Sequence, residues 1–460
     1  MSSEIPPSSA PVPAFVPPAP NILGFPQNLV QLVRNNLGII PRQAYEQPLV
    51  VTDSFPKMAF VTGPDLVEHV LKRSADRFPK GKLQNETLEP LFGNAMISSE
   101  GADWKWQRSI TAPLFRHDEI LQYIPAMRDA ATRQLETWKA QDLAANRPVN
   151  KDMFRIAFDV ISRTMLVGGA DDVIKAIEQG HAAYFHHVNW WIAYKMLGLP
   201  GWLPRPGGAV MRTQEKRIRD AVSKLVRGRL ASAETEQDLL GRLVRGIDPE
   251  TGEAMSEERL VNNIIAFLVA GYDTTALALA WALYLLALYP DWQQQIRNEI
   301  QAVAGDRPIG REHLSQLNVT DQVLNEALRL YPTAPIIVRD ILEDVELAGT
   351  KVPKGTIGVI PIYAIHRHRS FWDSPNVFDP LRFAPEAETK PGRYQFLPFG
   401  AGPRICIGAA FTMIEAKVVL ATLLREVSFE LEHGHEAHPV GQMFLTPREP
   451  IPMRVRFLDR

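Results

Sequence analysis

Hydrophobic and polar residues follow two different periods along this chain. From Pro64 to about Leu288, apolar residues recur with helical spacing and β-branched runs are few. Two stretches interrupt this pattern and are predicted to be loops, Pro79–Glu100 and Gly198–Gly208. Short β-like runs occur at both ends of the chain, at Pro48–Thr52, Lys57–Thr62, Val345–Leu347, Thr356–Pro361 and Pro452–Phe457. The pattern therefore predicts a mainly α fold, a large helical body with small β-sheets beside it.

The longest predicted helix begins after Ser256, a suitable N-cap, and ends at Leu288, just before Pro290. Such a helix is roughly 48 Å long, enough to cross a whole domain. Two parts of it, Ile264–Val269 and Ala276–Leu288, are apolar nearly all round. A helix of this kind is buried on every side. We therefore expect a single core, with residues 23–460 forming one domain.

The first 22 residues have a different composition. Seven prolines lie between Pro6 and Pro20, so this segment is expected to be an extended or disordered tail. It has neither a basic start nor an apolar run, so we do not expect it to be a secretory signal. No stretch of the chain is expected to supply the roughly 20 apolar residues of a membrane span.

Composition and charge narrow the function classes. Of the 460 residues, 45% are hydrophobic and 22% are charged, which is ordinary for a globular protein. The formal net charge of −2 gives no reason to expect nucleic acid as a partner. The chain has one cysteine, so it has no intramolecular disulfide, and it suits a reducing compartment. We expect a cytoplasmic monomer.

That cysteine, Cys406, lies near the end of Phe396–Gly408, a constrained loop with three glycines and two prolines. A predicted helix follows directly after it, from Ala409 to about Arg425. A thiol at a helix N-terminus meets free backbone N–H groups, which favour the metal-binding thiolate. Two other interpretations stay open. A lone cysteine is often a small buried apolar residue, and a cysteine nucleophile is possible, although no Cys-His signature surrounds it.

Two further motifs are each weak by themselves. Within the long helix, Ala270–Thr275 contains a glycine, an acid and two threonines. This composition suits either a kink whose hydroxyls bond back to the preceding turn or a local opening over a ligand. Glu326 and Arg329 are three residues apart on one helical face, where most such pairs are surface ion pairs. Arg382 follows in a proline-marked segment.

Together these motifs resemble the cytochrome P-450 family. Phe399–Gly408 is similar to its haem-binding pattern Phe-x-x-Gly-x-Arg-x-Cys-x-Gly at every fixed position. Ala270–Thr275 resembles the family's oxygen-activating motif, Glu326–Arg329 its Glu-x-x-Arg pair, and Pro380–Phe383 its Pro-x-Arg-Phe element. All four occur in the family's order. The resemblance implies a cytochrome P-450 fold and a soluble, bacterial-type haem-thiolate monooxygenase.

The resemblance also implies roles for individual residues. Cys406 becomes the axial thiolate of haem b (iron protoporphyrin IX), with Phe399 and the backbone of Gly408 beside the sulfur. The positions that match propionate-binding residues are Trp104, Arg108, Arg339 and Arg404. Glu326, Arg329 and Arg382 would form a buried structural network. The positions that match substrate contacts are Leu83, Phe92, Phe267, Ala270, Ile336, Ile337, Met443 and Phe444.

Asp273 and Thr274 match the pair that delivers protons during oxygen activation. Their presence favours a monooxygenase that uses O2 and acts on a hydrophobic small molecule by hydroxylation or epoxidation. The alternatives are a peroxide-driven peroxygenase and a haem sensor without turnover. Electrons are expected from a separate ferredoxin, or a flavodoxin, with an NAD(P)H-dependent reductase, docking near Lys105 and Arg116.

Gly180–Pro204, with Trp190, Trp191 and Trp202, matches the family's lid over the substrate channel. Ordinary helix packing is an equal alternative for these apolar residues. Contact with a membrane surface is less favoured, because basic residues are not expected to frame the patch.

Overall fold

The structure is a computed structural model that describes residues 11–142, 145–166, 171–200, 202–232, 238–248 and 250–459. Helices dominate it, as the sequence pattern predicts. In chain order they are α1 Phe25–Arg34, α2 Pro64–Glu68, α3 Lys82–Phe92, α4 Gly101–Thr111, α5 His117–Leu121, α6 Ile124–Lys139, α7 Val149–Met165, α8 Asp171–Phe185, α9 Val188–Met196, α10 Gly208–Ala231, α11 Leu239–Val244, α12 Glu257–Leu288, α13 Pro290–Ala304, α14 Asn318–Leu330, α15 Ile362–Ile365 and α16 Ala409–Glu426.

The strands are short and form small sheets. They are β1 Leu49–Val51, β2 Met58–Val61, β3 Arg147–Pro148, β4 Ile337–Asp340, β5 Val345–Leu347, β6 Thr350–Val352, β7 Ile357–Ile360, β8 Val427–Leu431, β9 Pro439–Gly441, β10 Leu445–Pro447 and β11 Pro452–Phe457. One sheet has the order β1-β2-β7-β4, with β2 and β7 parallel and Ala59 opposite Gly358. A second has the order β3-β11-β8, and the pairs β5-β6 and β9-β10 complete the set.

The central helix α12 organises the core. Its N-cap is Ser256, whose hydroxyl accepts a hydrogen bond from the Arg259 N–H, as the sequence predicts. The half from Leu260 to Ala276 packs in one hydrophobic cluster with α7, α8 and α10. The half from Leu277 to Leu286 packs in another with α6, α14 and α16. One helix thus joins the two larger hydrophobic clusters of the interior.

By length and composition, α12 could cross a membrane. The expectation that no stretch is long and apolar enough was therefore wrong. However, 83% of its most apolar window is buried against other helices, which is the arrangement of a core helix.

One other segment differs from its description by sequence. The predicted loop Pro79–Glu100 contains the helix α3, although Pro90 lies inside it. A proline in the last turn removes one backbone donor without preventing the preceding turns. The described part of the N-terminal tail, from residue 11, is extended and packs on the body. There the Tyr331 hydroxyl donates to the Ala14 carbonyl at 2.7 Å, and the Val16 N–H donates to the Tyr363 hydroxyl at 2.9 Å. Residues 1–10 of the predicted tail lie outside the described residues.

Candidate active site

The loop that carries Cys406 depends on glycine. Gly400 and Gly402 have φ values of 70° and 73°, a backbone conformation that favours glycine. A Cβ on Gly402 would lie 1.9 Å from the carbonyl oxygen of Leu71, so no side chain fits there. The Cys406 N–H donates to the Phe399 carbonyl at 3.0 Å and closes the loop. The loop therefore presents Cys406 just before the first turn of α16.

The ionisation of Cys406 differs from the sequence-based expectation. Although the residue is open to the cavity that it lines, the protein packed around the sulfur raises the pKa of the thiol. A hydrogen bond from the backbone of Gly408 and the charge of Arg108 lower that pKa, but by less than burial raises it. The helix N-terminus alone does not make a thiolate here, because desolvation outweighs it. A metal ion bound to the sulfur would reverse this balance.

Cys406 opens into a cavity of about 490 Å³, a size that suits a small-molecule site. Most of the predicted substrate contacts line it. They are Leu83, Phe267, Ala270, Ile336, Ile337, Met443 and Phe444. Phe92 was predicted to join them, but it points into the core, where it is 2% exposed and its ring centroid lies 6.5 Å from that of Phe185. Its place in the last turn of α3 turns it away from the side that carries Leu83.

The predicted propionate ligands also meet at this cavity. Trp104, Arg108, Arg339 and Arg404 all line it, and the Arg404 guanidinium stacks 4.1 Å from the centre of the Trp104 ring. Sequence reasoning missed Lys80, which lines the same wall and donates through Nζ to the Ile97 carbonyl. No motif identifies Lys80, because its place depends on the pairing of the backbone at residue 80 with residue 339.

The charges on this wall do not balance. Arg404 forms an ion pair with Glu100, whereas Lys80, Arg108 and Arg339 form no ion pair with a carboxylate among the described residues. Burial and the charge of Arg404 lower the pKa of Lys80 to about 7 and that of Arg339 to about 10. Two propionate groups would supply the missing negative charge. The cysteine loop, the apolar cavity and this cationic wall therefore fit haem b, which Cys406 would hold through its sulfur.

Thr274 lines the cavity from α12, whereas Asp273 is buried in the helix behind it, at 4% exposure. The Thr274 hydroxyl donates to the Ala270 carbonyl at 2.7 Å. Of the two sequence-based alternatives, the structure thus has the hydroxyl bonded to the preceding turn, and α12 continues through this segment without opening. A Cβ on Gly271 would lie 2.9 Å from Ile161, so the glycine lets α7 pack closely.

The acid and the arginines of the expected structural network lie together behind the cysteine loop. Glu326 and Arg329 are fully buried and share two hydrogen bonds of 2.6 Å. Arg382 lies 3.6 Å from the Glu326 carboxylate. Sequence reasoning missed His366, which connects this network to the loop. Its Nε2 accepts from the Leu397 N–H at 2.8 Å, so its Nδ1 carries the proton and donates to the Arg329 carbonyl at 3.2 Å.

The predicted lid is the wall formed by α9. Val188, Ile192 and Met196 line the cavity, while Trp190 is 43% exposed. Trp191 has two cations over its ring, the Arg205 guanidinium at 3.3 Å and Lys195 Nζ at 5.4 Å. The expectation that basic residues do not frame this apolar patch was therefore wrong.

Comparisons with known proteins agree with this geometry. The family model described as Cytochrome P450 matches residues 17–455. The chain is 31% identical over 405 residues to Cytochrome P450 CYP72A613 of Trigonella foenum-graecum, covering 84% of this chain and 76% of the relative. It is 28% identical over 415 residues to a cytokinin hydroxylase of Arabidopsis thaliana, covering 87% and 78%. Among solved structures, the cytochrome P450DA heme domain matches with a TM-score of 0.83 and 25% identity, covering 97% of this chain and 99% of that one.

Proposed function

Because the chain belongs to the cytochrome P450 family and is a haem-thiolate monooxygenase with haem b as cofactor, we propose that it hydroxylates or epoxidises a hydrophobic small molecule held above Cys406. The observation that carries this proposal is the single cavity that brings together Cys406, Thr274 and an apolar wall. The wall includes Phe267, Ala270 and Ile336, which would exclude water and orient an apolar substrate.

When bound, the haem supplies O2 activation and the transfer of one oxygen atom. Cys406 would hold the haem iron, and Arg108, Arg339 and Arg404, with Lys80, would hold the propionates, because all five side chains line the same cavity. Phe399 lines the cavity next to the cysteine loop and helps to enclose the sulfur. The Gly408 backbone donates toward the sulfur and tempers its charge.

We propose that Thr274 and Asp273 supply protons during turnover. The Thr274 hydroxyl faces the cavity, and its bond to the Ala270 carbonyl fixes the position of its oxygen. Asp273 precedes Thr274 on the same helix and would pass protons from the protein interior toward the Thr274 hydroxyl. This pair favours O2 with two electrons over direct use of peroxide.

The first test of the assignment is spectroscopic. Reduced protein with CO should show the red-shifted Soret band of thiolate ligation, and Cys406→His should move that band to the position of histidine ligation. A wild-type band already at the histidine position would overturn the assignment. A panel of hydrophobic ligands is then tested for displacement of water from the ferric haem. The ligands that displace it indicate the class of substrate.

The test of the proton pair is the coupling of electron use to product. Thr274→Ala should keep haem and substrate binding but release more of the reducing equivalents as hydrogen peroxide. The measurement is the ratio of product formed to NAD(P)H consumed. An unchanged ratio in Thr274→Ala and Asp273→Asn would remove both residues from the pathway.

For the electron donor, we propose a separate acidic redox protein that docks beside the cysteine loop. Arg108 donates to the Ile405 carbonyl at 3.2 Å, so α4 contacts this loop, and Lys105 on α4 and Arg116 just beyond it are exposed. The curated proteins similar to this chain include plant and animal proteins, and they do not support the narrower expectation of a soluble, bacterial-type enzyme. The donor is therefore tested as two arms, a ferredoxin or flavodoxin with its reductase and a flavoprotein reductase acting alone.

In the arm with an acidic ferredoxin, which we favour, Lys105→Glu and Arg116→Glu should slow reduction of the protein without changing the ferric spectrum. The wild-type rate should fall as salt rises, because exposed charges are screened over about 8 Å at physiological ionic strength. Product formed with redox proteins, NAD(P)H and O2 is compared with product formed with peroxide alone. Efficient turnover on peroxide without any response to redox proteins would favour a peroxygenase.

We also propose that the protein works in the cytoplasm as a monomer. The single cysteine and the near-neutral charge support this proposal. Cell fractionation and light scattering test it, and recovery in the membrane pellet would contradict it. In that case Trp202, which follows α9 in the chain and is 79% exposed, would be the first candidate for a membrane contact.

A further inference from the structure

The helix α3 forms part of the cavity wall without being stable by itself. It places Leu83, Gln84, Thr87 and Leu88 against the cavity, yet it has only 11 residues. Pro90 removes a backbone donor from its last turn, and its N-cap residue, Gly81, has no side chain that could cap the helix. Isolated helices of this length are marginal in water. The position of α3 therefore depends on contacts from other elements.

A carboxylate holds the N-terminal end. The Lys82 N–H donates to Asp340 Oδ2 at 2.8 Å, and the Asp340 N–H donates to the Pro79 carbonyl at 3.0 Å. Asp340 is the last residue of β4, so this end of α3 is tied to the four-stranded sheet. A negative charge at a helix N-terminus also matches the helix dipole.

A guanidinium holds the C-terminal end. Arg219 on α10 donates to the Leu91 carbonyl at 3.0 Å and, more weakly, to the Pro90 carbonyl at 3.5 Å. It also donates to Asn262 Oδ1, on α12, at 2.7 Å. The chain then turns tightly against Asn262, because Gly93 has a φ of 53° and a Cβ on it would lie 2.5 Å from Asn262 Oδ1. Arg219 therefore joins α10, α12 and the end of α3.

The middle of α3 has a weaker tie. Lys195 on α9 lies 2.7 Å from Glu86, but the two side chains are 36% and 32% exposed. Exposed pairs of this kind contribute little. Leu88, Leu91 and Phe92 of α3 also pack in the core. Among the polar contacts, however, the two ends carry most of the restraint, and the charge at each end has the sign that the helix dipole favours.

We propose that Arg219 and Asp340 are positioning residues that set the place of α3 against the substrate, and that Arg219 makes this place depend on α10. The inference deepens the proposed function and rests on it, since α3 acts on ligands bound in the same cavity. The proposal predicts that the effect of Arg219 on ligand affinity depends on the size of the ligand. A ligand large enough to touch α3 should depend on Arg219, whereas imidazole, small enough to stay near Cys406 and Thr274, should not.

The variants are Arg219→Gln, Arg219→Lys and Asp340→Asn, all as holoprotein. The matched control is Arg217→Gln, on the same helix, whose guanidinium is exposed and donates to Gln179 at 2.6 Å. The first measurement needs no ligand and follows amide hydrogen exchange in residues 82–92 and in residues 264–286 of α12. The second is the Kd of imidazole and of the tightest hydrophobic ligand found for the wild type.

Arg219→Gln should speed exchange in residues 82–92 by about ten-fold, the effect of losing a charged hydrogen bond, and should leave residues 264–286 unchanged. It should weaken the large ligand by a similar factor and leave the imidazole Kd within about two-fold. Arg219→Lys should recover part of the loss, because the charge remains but the forked contact does not. Asp340→Asn should act in the same direction, and Arg217→Gln should match the wild type.

Wild-type exchange and wild-type Kd values in Arg219→Gln would overturn the inference, as would an equal weakening of imidazole and the large ligand. These outcomes are separable from failure of the proposed function, because the CO spectrum of the wild type reports thiolate ligation independently. If Arg219→Gln does not fold, Arg219→Lys and Asp340→Asn decide the question by the same two measurements.

Discussion

The segment that carries Cys406 and the lid segment around α9 line the same cavity, but they are held in different ways. Behind the cysteine loop, Glu326, Arg329 and His366 are fully buried and connected by direct hydrogen bonds. In the lid, Trp190 and Trp202 are exposed, and cations lie over aromatic rings near the surface. A cysteine that would hold a haem must keep one position, whereas a substrate wall tolerates several. The buried polar contacts therefore lie behind the cysteine loop, where a displacement of Cys406 would weaken haem binding.

The largest loss of stability is expected from a substitution behind the cysteine loop. Arg329→Ala would leave the Glu326 carboxylate buried without its main partner and would free the carbonyls of His366 and Val377. Removing one member of a buried pair typically costs about 3–5 kcal/mol. We therefore expect little folded holoprotein, measured as haem content and as the free energy of unfolding in urea.

The matched control is Arg42→Ala. Arg42 lies 3.4 Å from Glu46 on the surface, with side chains 59% and 39% exposed, so its loss should cost under about 1 kcal/mol. Stable Arg329→Ala holoprotein that had lost only turnover would contradict the structural role of the network.

His366 gives a smaller effect with a characteristic pH dependence. Burial, followed by the charges of Arg329 and Arg367, lowers the pKa of His366 from 6.5 to about 3. The unfolded chain then binds a proton that the folded chain does not, between about pH 6.5 and pH 3. Stability should therefore fall as the pH drops below about 6.5, by up to about 1.4 kcal/mol per pH unit from this residue.

His366→Gln should lower stability at pH 7 but flatten this slope, which urea unfolding at pH 7, 6 and 5 would measure. His433→Gln, at an exposed position, should keep the wild-type slope. An unchanged slope in His366→Gln would mean that other groups cause the acid sensitivity.

The smallest effect is expected in the lid. Trp202→Ser removes a side chain that is 79% exposed, and substitutions at such positions usually change stability by less than about 0.5 kcal/mol. The CO spectrum and the unfolding midpoint should stay at their wild-type values. A loss of several kcal/mol in the free energy of unfolding would show that the lid is as strongly restrained as the cysteine loop.

Features of this protein that depend only on residues close together in the chain could be predicted from the sequence. The glycines around Cys406, the N-cap of α12 at Ser256 and the stop before Pro290 are local signals, and each lies where the structure has it. The ordered set of motifs was enough to predict the family, its haem and the mainly α fold, because each short pattern constrains a backbone conformation or a ligand type.

Which side chains line the cavity, and how their pKa values are shifted, could be learned only from the tertiary structure. Lys80 joins Arg339 through a backbone pairing across more than two hundred and fifty residues, and His366 meets Leu397 across a shorter loop. Phe92 turns into the core, and burial raises the pKa of Cys406 against the effect of the helix N-terminus. These outcomes depend on burial and on contacts between distant segments, and a local pattern of residue types carries no information about either.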